Sequence, residues 1–482
     1  MFKIKSAKFG LMAVLLVLTA ITQGWPQFVS AEANEGAIGG PNTMAQAAIS
    51  TGGLHTCALL STGAVKCWGS NSLGELGDTT TDNKSTPTQV DGLTSGVTAI
   101  STGESYTCAL LSTGAVKCWG LNNYGQLGDT TTVDKSTPTQ VDGLTSGVTA
   151  ISAGGNHTCA LLSTGAVKCW GSNAFGQLGD TTTVDKSTPT QVDGLTSGVT
   201  AISAGGDHTC ALLSTGAMHC WGSNAFGQLG DTTSDNKSTP TQVDGLTSGV
   251  TAISAGGYAG GGYQTCALLS TGAVKCWGFN FNGQLGDTTD VNKFTPTQVD
   301  GLTSGVTAIT AGQSHTCALL STGAVKCWGW NFYGQLGDTT TGDKMTPTQV
   351  DGLTSGVTAI TAGGYQTCAL LSTGAMQCWG SNSYGQLGDA TNVDKSTPSQ
   401  VDGLTSGVGP TTTTTTTEPE TTTTTTASTT TTAASTTIAV VTTVVSASEL
   451  PETGSQSDGW IIAAIIAMIS GTVLVTRRRN FS

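Results

Sequence analysis

Residues 56–69 read Thr-Cys-Ala-Leu-Leu-Ser-Thr-Gly-Ala-Val-Lys-Cys-Trp-Gly, two short apolar runs flanking Ser61-Thr62-Gly63. A three-residue loop with glycine in the left-handed position suits a β-hairpin. If Leu60 pairs with Ala64, equal steps outward place Cys57 directly opposite Cys67. Cross-strand neighbours in a non-hydrogen-bonded pair have Cα atoms about 4.5 Å apart, within disulfide reach. The spacing therefore predicts a cross-strand disulfide. Metal ligation is the competing use, but the pair lacks CxxC spacing and a regular histidine partner. Both hairpin faces are largely apolar, with His55, Cys57, Leu59 and Val65 on one and Ala58, Leu60, Ala64 and Trp68 on the other. Such a sheet must be covered on both sides.

The same stretch recurs along the chain. The cysteines fall in seven pairs: Cys57 and Cys67, Cys108 and Cys118, Cys159 and Cys169, Cys210 and Cys220, Cys266 and Cys276, Cys317 and Cys327, and Cys368 and Cys378. Each pair is expected to form a disulfide within its own hairpin. Successive first members lie 51, 51, 51, 56, 51 and 51 residues apart, and the odd step reflects an insertion in the glycine-rich stretch from Tyr258 to Tyr263. Each unit reads V-T-A-I-S-A-G, a variable dipeptide, the hairpin, a variable loop, G-Q-L-G-D-T-T, a second variable loop and T-P-T-Q-V-D-G-L-T-S-G. The V-T-A-I and T-P-T-Q-V segments supply two further strands, giving four per unit. Units that cannot bury their surfaces alone must stack, and seven four-stranded units closed radially make an all-β, seven-bladed propeller. An open solenoid would need polar end caps, and no divergent repeats flank the array.

Composition agrees. Of 482 residues 67 are glycine, and only 10% are charged. This excludes a coiled coil, a collagen and a charge-rich disordered chain, and disfavours a mainly helical domain. Fourteen cysteines, if oxidised, imply export. The net charge of −13 argues against nucleic acid as a partner, since a phosphate-binding surface needs clustered Lys and Arg.

At this point the array resembles the regulator-of-chromosome-condensation repeat, carried in the last unit as C-A-L-L-S-T-G-A-M-Q-C-W-G-S-N-S-Y-G-Q-L-G, residues 368–388. The resemblance covers residues 44–408 and implies a seven-bladed propeller. It implies much less about activity, because function resides in sites grafted onto a fold. The founding member is a nuclear guanine-nucleotide exchange factor, but no position here carries its exchange residues, and an exported acidic chain does not suit that setting. A secreted relative of the same shape inhibits β-lactamases with one propeller face, so an enzyme inhibitor is an alternative reading, as is a structural wall protein.

The ends of the chain predict a destination. Residues 1–31 carry Lys3, Lys5 and Lys8, an apolar run from Gly10 to Ile21, and Val29-Ser30-Ala31, the pattern of a secretory signal peptide. Residues 409–449 are dominated by threonine and should form a disordered stalk. Then come Leu450, Pro451, Glu452, Thr453 and Gly454, an apolar segment at 460–475 that reads as a short anchor helix, and Arg477-Arg478-Arg479. That order resembles the sorting signal of Gram-positive surface proteins, in which a sortase cuts between the positions matching Thr453 and Gly454 and joins the threonine to peptidoglycan. The localisation expected is extracellular and wall-anchored.

No catalytic constellation stands out, and no cofactor or metal is implied. No G-x-S-x-G elbow, H-E-x-x-H pair or phosphate loop is present. His55, His157, His208 and His315 share one repeat position that Tyr106, Gln264 and Gln366 fill elsewhere, which fits a hydrogen-bonding structural role. Aspartates such as Asp129 and Asp134 fit turn chemistry better than calcium ligation.

The candidate site comes from where near-identical repeats differ. After Trp-Gly, most units carry small or polar residues, whereas the fifth and sixth carry Phe279, Phe281, Trp330 and Phe332. In the second variable loop, the serine of other units becomes Phe294 and Met345 in the same two units. Tyr258 and Tyr263 of the insertion join them by sequence. These eight residues are expected to form one exposed apolar patch, since clustered exposed aromatics mark binding sites. Tyr124, Phe175, Phe226, Tyr333 and Tyr384 occupy a position that is aromatic in most units and read as framework. The function expected is non-catalytic recognition of a protein or glycan at a cell surface.

Overall fold

The computed structural model describes residues 49–258, 261 and 263–406. The expected signal peptide at 1–31, the expected stalk at 409–449, and the expected sorting signal with its apolar segment and basic tail at 450–482 lie outside the described residues.

Blade 1 shows how each unit is built. Its strands are β1 (Ile49–Thr51), β2 (His55–Leu59), β3 (Val65–Gly69) and β4 (Lys84–Gln89), paired antiparallel in that order from the axis outward. The remaining units repeat the pattern, so the described residues form seven four-stranded sheets. Every regular element among them is a strand. The hairpin register is the one the loop implies: Leu60 N–H donates to Ala64 O, and Cys57 faces Cys67.

The same register recurs in every blade and brings each cysteine pair into bonding reach. Disulfides join Cys57 to Cys67, Cys108 to Cys118, Cys159 to Cys169 and Cys210 to Cys220. Blades 5 to 7 continue the series, with Cys266 bonded to Cys276, Cys317 to Cys327 and Cys368 to Cys378. The Cα atoms of each pair lie 4.1 Å apart, a little closer than the 4.5 Å expected of facing strand residues, and no cysteine is free.

The two apolar faces of each blade are covered by its neighbours. Cys57, Leu59 and Val65 pack with Ala109 and Trp119 of blade 2, while Ala58 and Trp68 pack with Cys368, Leu370 and Met376 of blade 7. Each interface repeats this exchange, so the core is a set of wedges between blades. A polar staple fixes the geometry of every wedge. The carbonyl of Glu75, in the G-x-L-G turn of blade 1, accepts from both Trp119 Nε1 at 2.9 Å and Thr107 Oγ1 at 3.0 Å of blade 2. A buried indole N–H needs such a partner. The same staple closes the ring, because Gln386 O of blade 7 accepts from Trp68 Nε1 at 3.0 Å and Thr56 Oγ1 at 2.8 Å. Backbone bonds from Gly364 N to Gly52 O and from Ala390 N to Ser85 O complete the closure. Trp328→Ala is therefore expected to destabilise the propeller by about 3–5 kcal/mol, the range for deleting a buried large aromatic, in a urea titration followed by circular dichroism.

A belt of hydroxyls joins the inner strands. Ser101 Oγ accepts from Ala153 N, Ser152 Oγ from Ala204 N and Ser203 Oγ from Ala255 N, each at 2.9 Å, and Thr51 and Thr361 meet through their hydroxyls across the closing interface. These strands surround an axial cavity of about 120 Å³.

Because strands alternate in direction, the loops divide between two faces. The loops from inner to second strand and from third to outer strand emerge on one side. The Ser-Thr-Gly hairpins and the D-G-L-T-S-G connections emerge on the other, where Val97 N–H bonds Gly63 O and Ser112 N–H bonds Gly96 O. The described chain ends at Ser406, in a D-G-L-T-S segment on that second face.

Candidate functional site

The long loop after each Trp-Gly is organised by one buried asparagine. Asn331 Nδ2 donates to Asp338 Oδ1, Thr340 O and Gly342 O, while its Oδ1 accepts from Leu336 N. Asp338 then takes the Thr340 N–H and hydroxyl and pairs with Lys344 at 3.1 Å. Burial alone would raise this carboxyl, but the Thr340 hydrogen bonds and Lys344 together hold it below the usual carboxylate range. The equivalent aspartates of the other blades do the same, Asp129 pairing with Lys135 at 3.3 Å. Turn chemistry thus accounts for them. The hydrogen-bonded loop places Phe279 and Phe281 on either side of Asn280, and Trp330 and Phe332 on either side of Asn331.

The histidines also have the structural role expected. His55 Nε2 lies 2.9 Å from Thr107 Oγ1 of the next blade, and His157, His208 and His315 make the equivalent contact. Gln264 replaces this with bonds from Nε2 to Gly312 O and His315 O.

The aromatic residues are brought to one face, but not as a single patch. Their ring contacts fall into two groups. In the first, Tyr263 stacks on Phe226 at 5.8 Å, Phe226 meets Phe279 edge-on at 5.0 Å, and Phe279 lies 6.5 Å from Phe281. In the second, Trp330 contacts Phe332 at 6.3 Å, Tyr333 at 5.6 Å and Tyr365 at 5.3 Å. Phe281 and Phe332 are the outermost rings, 75% and 65% exposed. Phe279 and Trp330 are half-buried beneath them. Each group spans one blade boundary, Phe226 of blade 4 with the rings of blade 5 and Tyr365 of blade 7 with those of blade 6, and no ring contact among the described residues joins blade 5 to blade 6.

Three expectations need correction. Tyr258 is not part of the patch. It is 9% exposed, lines the axial cavity, and donates its hydroxyl to Thr51 O at 3.1 Å, so blade 5's insertion reaches across the axis to blade 1. Phe294 and Met345 lie in outer strands, Lys293–Gln298 and Lys344–Gln349, rather than in a variable loop. Both stay accessible, at 38% and 43%, leaning over Gly227 and Gly283 of the preceding blades. The supposed framework aromatics are not core: Tyr124, Phe175 and Tyr384 are exposed, and Phe226 and Tyr333 belong to the two ring groups.

Tyr365 escaped the sequence reading. Its signal was present, since it occupies the same repeat position as Tyr263, immediately before the glutamine that replaces histidine. Tyr263 also donates to Asp207 Oδ2 at 3.0 Å, and burial raises that carboxyl above its usual range.

Residues 26–306 match the family described as the RCC1-like domain, and further matches to the regulator of chromosome condensation repeat cover 306–335, 357–386, 322–370 and 374–412. The chain belongs to the RCC1-like domain family. This RCC1-like propeller is 29% identical over 363 residues to the ultraviolet-B receptor UVR8 of Arabidopsis thaliana, covering 74% of this chain and 82% of that one. It is 31% identical over 350 residues to the E3 ubiquitin-protein ligase HERC2 of Homo sapiens, covering 71% of this chain but only 7% of that much longer protein. Among solved structures it is similar to human WBSCR16, with a TM-score of 0.63, 23% identity and coverage of 70% and 94% of the two chains. It is also similar to yeast RCC1 (Prp20) bound to Kap60, with a TM-score of 0.62, 22% identity and coverage of 71% and 85%. These structural likenesses carry the fold alone.

Proposed function

We propose that this RCC1-like propeller is an exported, wall-anchored recognition protein with no catalysis, which engages a partner through the aromatic rings of blades 5 and 6. The observation that carries the reading is the exposure of Phe281 and Phe332 on asparagine-anchored loops where other blades offer Ser72, Asn123, Ala174, Ala225 and Ser383. Large exposed aromatics backed by other rings are the usual anchors of an interface. The described chain ends at Ser406, in a segment on the face opposite the rings. The secretory pattern at 1–31, the threonine-rich stretch at 409–449 and the Leu450–Gly454 pentapeptide support display on peptidoglycan after sortase cleavage.

The test is saturable binding of the purified full chain to microbial and host cell surfaces, with the double variant Phe281→Ser, Phe332→Ser as the comparison. Each truncated anchor is expected to cost about 2 kcal/mol of affinity. Stability should change by no more than about 0.5 kcal/mol, because these rings are exposed. Equal binding by both proteins would reject the face. Recovery of intact residues 454–482 from wall-bound protein would reject sortase processing.

A further inference from the structure

Every charged residue in the loops of the ring face is a carboxylate. The loops from inner to second strand carry Glu104 and Asp207, and those from third to outer strand carry only aspartates and Glu75. The described residues contain no arginine. The nearest lysines begin the outer strands, and these are committed to the loop aspartates, as Lys293 is to Asp287 at 3.0 Å and Lys344 to Asp338 at 3.1 Å. No ion pair among the described residues engages Asp207 or Asp343.

These carboxylates stand beside the rings. Asp207 accepts from Tyr263 in the first ring group. Asp343 is exposed at the base of the loop that carries Phe332, and it joins the two blades by accepting from Asn331 N at 2.9 Å and Asn282 Nδ2 at 3.3 Å. Asn282 directly follows Phe281, so Asp343 lies between the loops bearing the two outermost rings. Electron-rich ring faces and unneutralised carboxylates attract the same kind of group. A neutral glycan would use the rings and hydrogen-bond the carboxylates but bring no opposite charge to them, and an anionic ligand would be repelled.

We infer that the ring face docks an arginine-rich segment of a partner protein, with guanidinium groups stacking on Phe281 and Phe332 and pairing with Asp343 between them. This rests on the proposed role of the same face and names the chemistry of its partner. Arginine suits the site better than lysine, because its planar, weakly hydrated cation can stack on a ring and still present its N–H edge to a carboxylate.

Fluorescence anisotropy with a labelled Arg-Gly repeat peptide and the purified full chain tests the inference, with Lys-Gly and Glu-Gly repeats of equal length beside it. The Arg-Gly peptide should bind several-fold more tightly than Lys-Gly, and Glu-Gly should not bind. The double variant Phe281→Ser, Phe332→Ser should weaken the Arg-Gly peptide about tenfold, since each ring–cation contact at an exposed site is worth ~0.5–1 kcal/mol. Asp343→Asn should weaken it severalfold and flatten its salt dependence. Loss on Asp343→Asn with no effect of the ring double variant would mean diffuse attraction to an acidic surface, and would overturn the inference. So would equal binding of Arg-Gly and Lys-Gly. Ring-dependent capture of cell surfaces without peptide binding would overturn this inference while leaving the proposed function standing, and loss of both would reject both.

Discussion

Complete reduction of the seven disulfides is expected to unfold the propeller. Each bridge closes a loop of sequence separation 10, for which the chain-entropy relation gives roughly 2.7 kcal/mol. Summed over the seven, the constraint is on the order of 19 kcal/mol, above the ~5–15 kcal/mol of net stability usual for a folded domain. Cysteine side chains are fully buried in every blade, so dithiothreitol in native buffer should act slowly, limited by opening of the wedges. In denaturant it should act at once, and on dilution the reduced chain should fail to regain its β-sheet circular dichroism. Retention of a cooperative transition at unchanged temperature after full thiol exposure, verified by alkylation and mass, would contradict this. The local pairing also predicts that replacing both Cys317 and Cys327 by alanine costs about 2.7 kcal/mol through loss of the cross-link alone and leaves the other bridges intact.

The second large effect is acid instability set by the four interblade histidines. Burial pushes His55, His157, His208 and His315 down from 6.5 to about 3. Below pH 6.5 the unfolded chain takes up protons at these sites while the folded chain does not, so stability falls as the pH falls and is fully present only above that value. Well below pH 6.5 each histidine contributes about 1.4 kcal/mol per pH unit, so the four together should remove roughly 8 kcal/mol between pH 7.5 and pH 5. Glu75 and Asp207 act in the opposite sense, since burial raises both carboxyls and their protonation favours the fold in acid. Urea midpoints measured from pH 7.5 to 4.5 should decline steadily. The fold supplies its own control, because Gln264 and Gln366 fill this position in blades 5 and 7. Replacing all four histidines by glutamine should flatten the profile down to about pH 4. An equally steep decline in that variant would show that the histidines do not set it.

The physical distance between residues explains which parts of this molecule could be read from its sequence. The hairpin register, the seven bridges and the four strands per blade follow from contacts a few residues apart, where loop chemistry and the period of the strand leave little choice. The repeat makes the same inference available seven times over. The aromatic substitutions in blades 5 and 6 were legible for the same reason, as departures from an otherwise constant pattern. Exposure was not, because it depends on what another blade presents. Tyr258 and Tyr263 sit at two ends of one short insertion, yet Tyr258 is drawn inward by Thr51 O, more than two hundred residues away in the chain, and Tyr263 outward onto Phe226. Phe226 and Tyr333 share a repeat position with Tyr124, and only the neighbouring loops make them members of ring groups. Closure of the ring likewise rests on Trp68 finding Gln386 O, a contact between opposite ends of the array. Local chemistry thus determined each blade from its own sequence, whereas packing between blades decided which side chains face the axis, the core or a partner, because burial is a property of two surfaces and a single repeat contains only one of them.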